Sequence, residues 1–119
     1  MRKIYHLSTC DTCKRIIKQL NPNVAYEKQD IKNEEISVKQ LEAMKEMAGS
    51  YEALFSKRAK LYKERGLKDE VLSEDDFKRF ILEHYTFLKR PVLIMDDHIF
   101  VGNSRKTVED AVDLSHRLS

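Results

Sequence analysis

Residues 3–30 read KIYHLSTCDTCKRIIKQLNPNVAYEKQD, and the fold turns on this one stretch. Its opening, Lys3 to Leu7, is a short β-branched and aromatic run that ends in the turn-like Ser8-Thr9, which predicts a buried strand. From Cys13 the apolar positions Cys13, Ile16, Ile17 and Leu20 fall at i, i+3, i+4 and i+7. Lys14, Arg15 and Lys18 take the other face, so the segment reads as an amphipathic helix with Cys13 at the head of its buried stripe. Asn21-Pro22-Asn23 stops it, and Val24 to Asp30 reads as a second strand. Strand, helix and strand with a connection of this length suit a parallel crossover.

The remainder of the chain is read outward from that unit. Ser37 to Ala48 carries Leu41, Met44 and Ala48 at helical spacing and ends at Gly49, a C-terminal stop; Met44 and Met47 read as core fillers. A short helix is expected around Ser50 to Phe55, followed by a basic connection, SKRAKLYKERGL. Ser73-Glu-Asp-Asp resembles a capping box ahead of Phe77, Phe80, Ile81 and His84 on one helical face, which makes His84 a core histidine. RPVLIM and HIFVG, separated by the turn Asp96-Asp97, predict a hairpin. A last helix from about Ser104 turns Val108, Ala111, Val112, Ser115 and Leu118 inward, leaving His98 and His116 on the surface.

The resulting order is strand-helix-strand, a helical insertion over about 36–88, then strand-strand-helix. That is the α/β order of a thioredoxin- or glutaredoxin-like mixed four-stranded sheet (βαβ…ββα), expected here as a single domain over 1–119. A chain of 119 residues suits one core. Hydrophobic residues at 41%, charged residues at 35% and a formal net charge of +2 make no global case for direct nucleic-acid or membrane binding. Neither a leader-like N-terminus nor an apolar run of about 20 residues is present, so a cytoplasmic location is expected.

The two cysteines, Cys10 and Cys13, are three residues apart. In a reducing compartment such a pair reads as reactive or metal-binding rather than as a structural disulfide. A zinc site needs four ligands, whereas there is no second cysteine pair and His6, His84, His98 and His116 are scattered, so no metal is expected. The pair is then a redox couple or two small residues packed under a helix. A reactive cysteine needs a lowered pKa, and Cys10 lies just ahead of a helix whose free N–H groups and dipole favour an anion. Lys14, one turn on, and His6, at the end of the strand, are candidates to assist. Cys13, on the buried stripe, should be less acidic and suits a resolving thiol. Later, Arg90-Pro91 opens a strand; in thioredoxin-like proteins a cis-proline at this point faces the redox cysteine, and Arg90 before it is either an anion-holding residue or a solvated charge.

CDTCKR, LFSKRAKLY and LKRPVLI, in this order, resemble the arsenate reductase (ArsC) family of glutaredoxin-type folds, which includes the Spx transcription regulators and ArsC-like proteins. The resemblance covers essentially the whole chain. It implies that Cys10 is similar to the catalytic cysteine and His6 to the histidine that helps activate it. Arg90 resembles a family oxyanion-binding arginine, and Arg58 the insert arginine of the Spx and ArsC-like branch. In the reductases the insert arginine lies two positions earlier, where this chain has Ser56. Where they carry a third arginine after the hairpin, this chain reads FVGN, with Gly102.

By resemblance, the Cys10 thiolate attacks an oxyanion such as arsenate, or a disulfide, with Arg58, Arg90, Lys14 and Pro91 forming the substrate site. Cys13 or glutathione resolves the product. No cofactor is expected to be tightly bound; glutathione, thioredoxin or glutaredoxin is the implied electron donor. The alternatives are an Spx-like redox regulator that binds the RNA polymerase alpha subunit, or a glutathione-binding protein without arsenate activity.

Overall fold

The computed structural model describes residues 1–118. Two compact units make up the chain: Met1–Glu34 together with the chain from Arg90 onward, and Glu35–Lys89.

The first unit contains β1 (Arg2–His6), α1 (Asp11–Gln19), β2 (Glu27–Asp30), β3 (Val92–Met95), β4 (His98–Val101) and α5 (Arg105–Arg117). The strands form one mixed sheet in the order β2-β1-β3-β4. Strands β1 and β2 run parallel with His6 opposite Asp30, whereas β1–β3 and β3–β4 are antiparallel. Alternation along the strands brings Ile4, Leu93 and Met95 to a common core with Ile16 and Leu20 of α1 and Ala111 of α5. The predicted stripes of both helices therefore meet on the sheet. Buried Ser115 fits this apolar setting because its hydroxyl donates to the Val112 carbonyl (2.7 Å) and accepts from the Asn21 N–H (3.1 Å), which joins the end of α1 to α5.

Some boundaries move. Helix α1 begins at Asp11, two residues before the first apolar position, with Cys10 as its N-cap. β2 is shorter than its apolar lead-in suggests, for Val24 is buried in the connection and pairing starts at Glu27. The hairpin turns at Asp96, whose φ of 58° is left-handed and tolerable for aspartate. Its carboxylate accepts from Arg2 at 3.3 Å.

The second unit contains α2 (Val38–Ala48), α3 (Lys60–Glu64) and α4 (Glu74–Glu83), with 3₁₀ turns between successive helices and a third, Tyr85–Phe87, after α4. Ser37 and Ser73 each form a reciprocal capping box, with Gln40 and Asp76 respectively. Helix α2 ends at Gly49, whose φ of 98° strains any residue with a Cβ. Phe55 is the centre of the unit, stacked on Phe87 (5.4 Å between centroids) and tilted against Phe77 (4.8 Å).

The basic stretch expected to be a plain connection contains α3 and a 3₁₀ turn at Leu67–Asp69. Tyr62 meets the edge of Phe55 and Leu67 is buried, so a few apolar residues fold a segment whose charges dominate its sequence. His84 is not a core histidine. Helix α4 ends at Glu83, and His84 instead accepts the Thr86 N–H through Nδ1 at 3.1 Å, capping the next turn. Ser73→Ala should cost about 1 kcal/mol in urea unfolding, and Ser73→Asp should recover most of it; an unchanged midpoint in the alanine variant would show that α4 does not depend on its cap.

Among the described residues no helix is long and apolar enough to cross a membrane.

Candidate functional site: a cysteine at a helix N-cap

The first strand delivers the chain to the C-terminal edge of the sheet, where Leu7 to Thr9 turn it into α1. The Cys10 N–H donates to the Leu7 carbonyl at 2.9 Å, and the Cys10 carbonyl accepts the first helical bond, from the Lys14 N–H, at 3.1 Å. This fixes Cys10 in the extended conformation of an N-cap (φ −93°, ψ 114°). Its side chain makes no capping hydrogen bond, so the first amides of α1 are open to negative charge on its sulfur.

Both cysteines are free thiols, Cys10 half-exposed and Cys13 buried. Partial burial opposes ionisation of Cys10, but it is outweighed by the Cys13 N–H and thiol, the Thr12 N–H and the Arg90 guanidinium, leaving the pKa below that of an ordinary thiol. Cys13 moves the other way. Burial pushes it up to about 11; a backbone hydrogen bond at Leu7 opposes the rise, and the neighbouring Cys10 adds to it. Two thiols three residues apart are thus held in opposite protonation preferences.

The pair leaves a trace on folding. Folded Cys13 keeps its proton up to about 11, whereas an ordinary cysteine loses it near 9.0. Between those values the unfolded chain binds fewer protons, so the stability of the reduced protein falls as pH rises through that window. Cys10 has the opposite sign at lower pH, adding stability as pH rises toward the ordinary thiol value. Cys13→Ala should lessen the alkaline slope in urea titrations, leaving the part that Tyr5 and Tyr26, also raised by burial, contribute; a slope unchanged by that substitution would contradict the assignment.

Arg90 immediately precedes Pro91, across a cis peptide bond, at the start of β3. Its charge acts on both sulfurs. Its Nε is buried and makes no hydrogen bond among the described residues, an unspent donor beside a cysteine that favours the anion. The Asn103 amide donates to the Arg90 carbonyl at 3.4 Å, and Gly102 donates to the Pro91 carbonyl at 2.9 Å, so the loop after β4 steadies the Arg90-Pro91 backbone.

Of the residues singled out from sequence, Cys10, Cys13 and Arg90 come together. His6, half-buried, faces Asp30 across the parallel pair; that carboxyl's pKa is lowered chiefly by a hydrogen bond from Ser8, with His6 the least of the causes. Lys14 is exposed and enters through its backbone N–H. Arg58 lies exposed in the second unit, with no ion pair among the described residues. Sequence reading passed over Ser8, Asp30 and Asn103. For Asp30, the run Asp-Ile-Lys-Asn at a strand end is an available turn signal, and the carboxylate does accept from the Lys32 N–H at 3.2 Å. No group of three or more His, Cys, Asp or Glu side chains suited to a metal occurs among the described residues.

A cysteine capping the first helix of a βαβ–ββα sheet, with a cis-proline opening the third strand, defines the thioredoxin-like class. Within it the chain belongs to the ArsC family, whose model matches residues 5–111. It is similar to the global transcriptional regulator Spx 2 of Bacillus anthracis, 24% identical over 102 residues that span 83% of this chain and 77% of the regulator. Among solved structures, an arsenate reductase from Vibrio cholerae superposes with a TM-score of 0.77 at 23% identity, covering 94% of this chain and 95% of the other. A Staphylococcus aureus protein determined in solution gives 0.75 at 27%, covering 92% and 97%.

Proposed function

We propose that the protein is a thiol-dependent oxidoreductase that reduces a small oxyanion, arsenate being the first to test. The observation that carries this reading is the pairing of Cys10, at the N-cap of α1, with a guanidinium whose buried Nε has no partner. The Cys10 thiolate attacks arsenic, and one oxygen leaves as water after protonation. Arg90 and the first amides of α1 offset the charge of the oxyanion, while Lys14 raises the local positive potential. The Cys13 thiol then attacks the Cys10 sulfur. An S–S bond forms as the S–As bond breaks, arsenic keeps the electron pair and leaves as arsenite, and the two thiols are oxidised. Glutathione can replace Cys13 in that attack. Thioredoxin or glutaredoxin restores the thiols.

Arsenate-dependent NADPH consumption, coupled through thioredoxin and its reductase or through glutathione and glutaredoxin, tests the proposal. Turnover that saturates with arsenate supports it; no turnover with either couple rejects it.

The similarity to Spx 2 favours one further reading, in which the Cys10–Cys13 couple is a switch on a regulator that binds the RNA polymerase alpha subunit. Binding to the alpha C-terminal domain that differs between oxidised and reduced protein supports that reading. Absence of binding in both states removes it.

A further inference from the structure

Asp30 ends β2 directly opposite His6, the last residue of β1. Its carboxylate accepts from two segments at once. From the loop that leads to Cys10, Ser8 donates through its hydroxyl and through its N–H, the latter at 3.4 Å. From the turn that leaves β2, the Lys32 N–H donates at 3.2 Å and the Asn33 amide at 2.9 Å. Backbone bonds reinforce the junction: Ile31 N–H to the His6 carbonyl at 2.9 Å and Asn33 N–H to the Asp30 carbonyl at 3.2 Å. Ser8 stands inside the turn that Cys10 closes onto Leu7 at 2.9 Å.

We propose that Asp30 is a positioning residue for the reactive cysteine: its carboxylate ties Ser8 to the exit of β2 and so holds Cys10 at the N-cap of α1. The inference rests on the thiolate role given to Cys10 above. Asp30 itself acts on no substrate.

The loop between β1 and α1 has few other anchors. Ser8 and Thr9 are exposed, and Leu7 is the apolar residue that holds the turn from inside. One carboxylate accepting several hydrogen bonds is a strong local restraint, because charged acceptors bind their donors more tightly than neutral ones. The titratable group facing Asp30 from β1 is His6, and its own turn contributes Lys32 through the backbone. Hydrogen bonds from Ser8 do most to hold the Asp30 carboxyl below its ordinary value; burial opposes them, and the Lys32 N–H and the neighbouring His6 add to the lowering. The restraint is therefore intact at neutral pH and is released only as pH falls through that lowered pKa.

Two mechanisms predict opposite signs. If Asp30 acted on Cys10 by charge alone, removing its negative charge would favour the thiolate and lower the pKa. If it acts through the loop, removing it frees Ser8, lets Cys10 drift from the N–H groups of Thr12 and Cys13, and raises the pKa.

The test follows the pH dependence of Cys10 alkylation by iodoacetamide, mapped by mass spectrometry, in wild type, Asp30→Ala, Ser8→Ala and the double variant. Both single variants should raise the midpoint by about half a pH unit or more, an about threefold loss of thiolate at fixed pH. The double variant should be no worse than the larger single one, because both remove the same link. An unchanged or lowered midpoint in folded variants, against a low wild-type midpoint, overturns the proposal. If Asp30→Ala does not fold, Ser8→Ala decides by the same criterion. If wild-type Cys10 titrates as an ordinary thiol, the oxidoreductase reading fails, and amide exchange at Ser8 and Cys10 decides the clamp alone: faster exchange in Ser8→Ala supports it, unchanged exchange overturns it.

Discussion

Cys10→Ser is expected to abolish thiol-dependent turnover, by about a thousandfold or more. A serine hydroxyl at the same N-cap remains protonated at neutral pH, and it has no thiolate to attack arsenic or to form a disulfide. The fold should be unaffected, because serine is a preferred N-cap and Cys10 contributes little to the core. Circular dichroism and urea midpoints at or above those of wild type, together with lost turnover, are the expected pair of results. Retained turnover in Cys10→Ser would remove the mechanism altogether. Cys13→Ser should behave differently: the Cys10–arsenic adduct can still form, but arsenite is released only when added glutathione supplies the second thiol.

Arg90→Met should lower kcat/KM for the oxyanion by about tenfold to a hundredfold, the scale of one hydrogen-bonded charge pair. It acts twice. The oxyanion loses a guanidinium donor, and the Cys10 thiolate loses the cation that favours it, so the alkylation midpoint of Cys10 should rise together with the loss of turnover. Arg90→Lys keeps the charge but not the planar fork, and should restore the midpoint better than it restores kcat/KM. Equal effects of methionine and lysine on both measurements would show that Arg90 serves the local backbone rather than the reacting anion.

Much of this site could be read from residue patterns because its parts are local. Cys10 and Cys13 differ in phase along one helix, and that phase is what separates a half-exposed, acidic thiol from a buried one raised to about 11. The strand-helix-strand unit was legible for the same reason: the stripe Cys13, Ile16 and Leu20 and the run at Ile4 are uninterrupted, and both enter the core. The true start of α1 at Asp11 was not, because its first turn carries no apolar residue before Cys13.

Charge was a poorer guide than phase. Lys14 is one helical turn from Cys10 in sequence yet is exposed to solvent, whereas Arg90, 80 positions on, acts on both sulfurs. In the insertion, a basic stretch conceals α3, since a five-residue helix is too short to show a period. The link from Asp30 to Ser8 spans 22 residues and depends on the parallel register of β1 and β2. Nothing in the spacing of either residue announces it.

The most direct test of the central claim, that Cys10 is a stabilised thiolate at an anion-binding helix terminus, is its titration by alkylation with and without arsenate. The account predicts a midpoint below that of a free thiol and slower alkylation when arsenate occupies the site. A midpoint at or above that of a free thiol, unmoved by arsenate or glutathione, would contradict it.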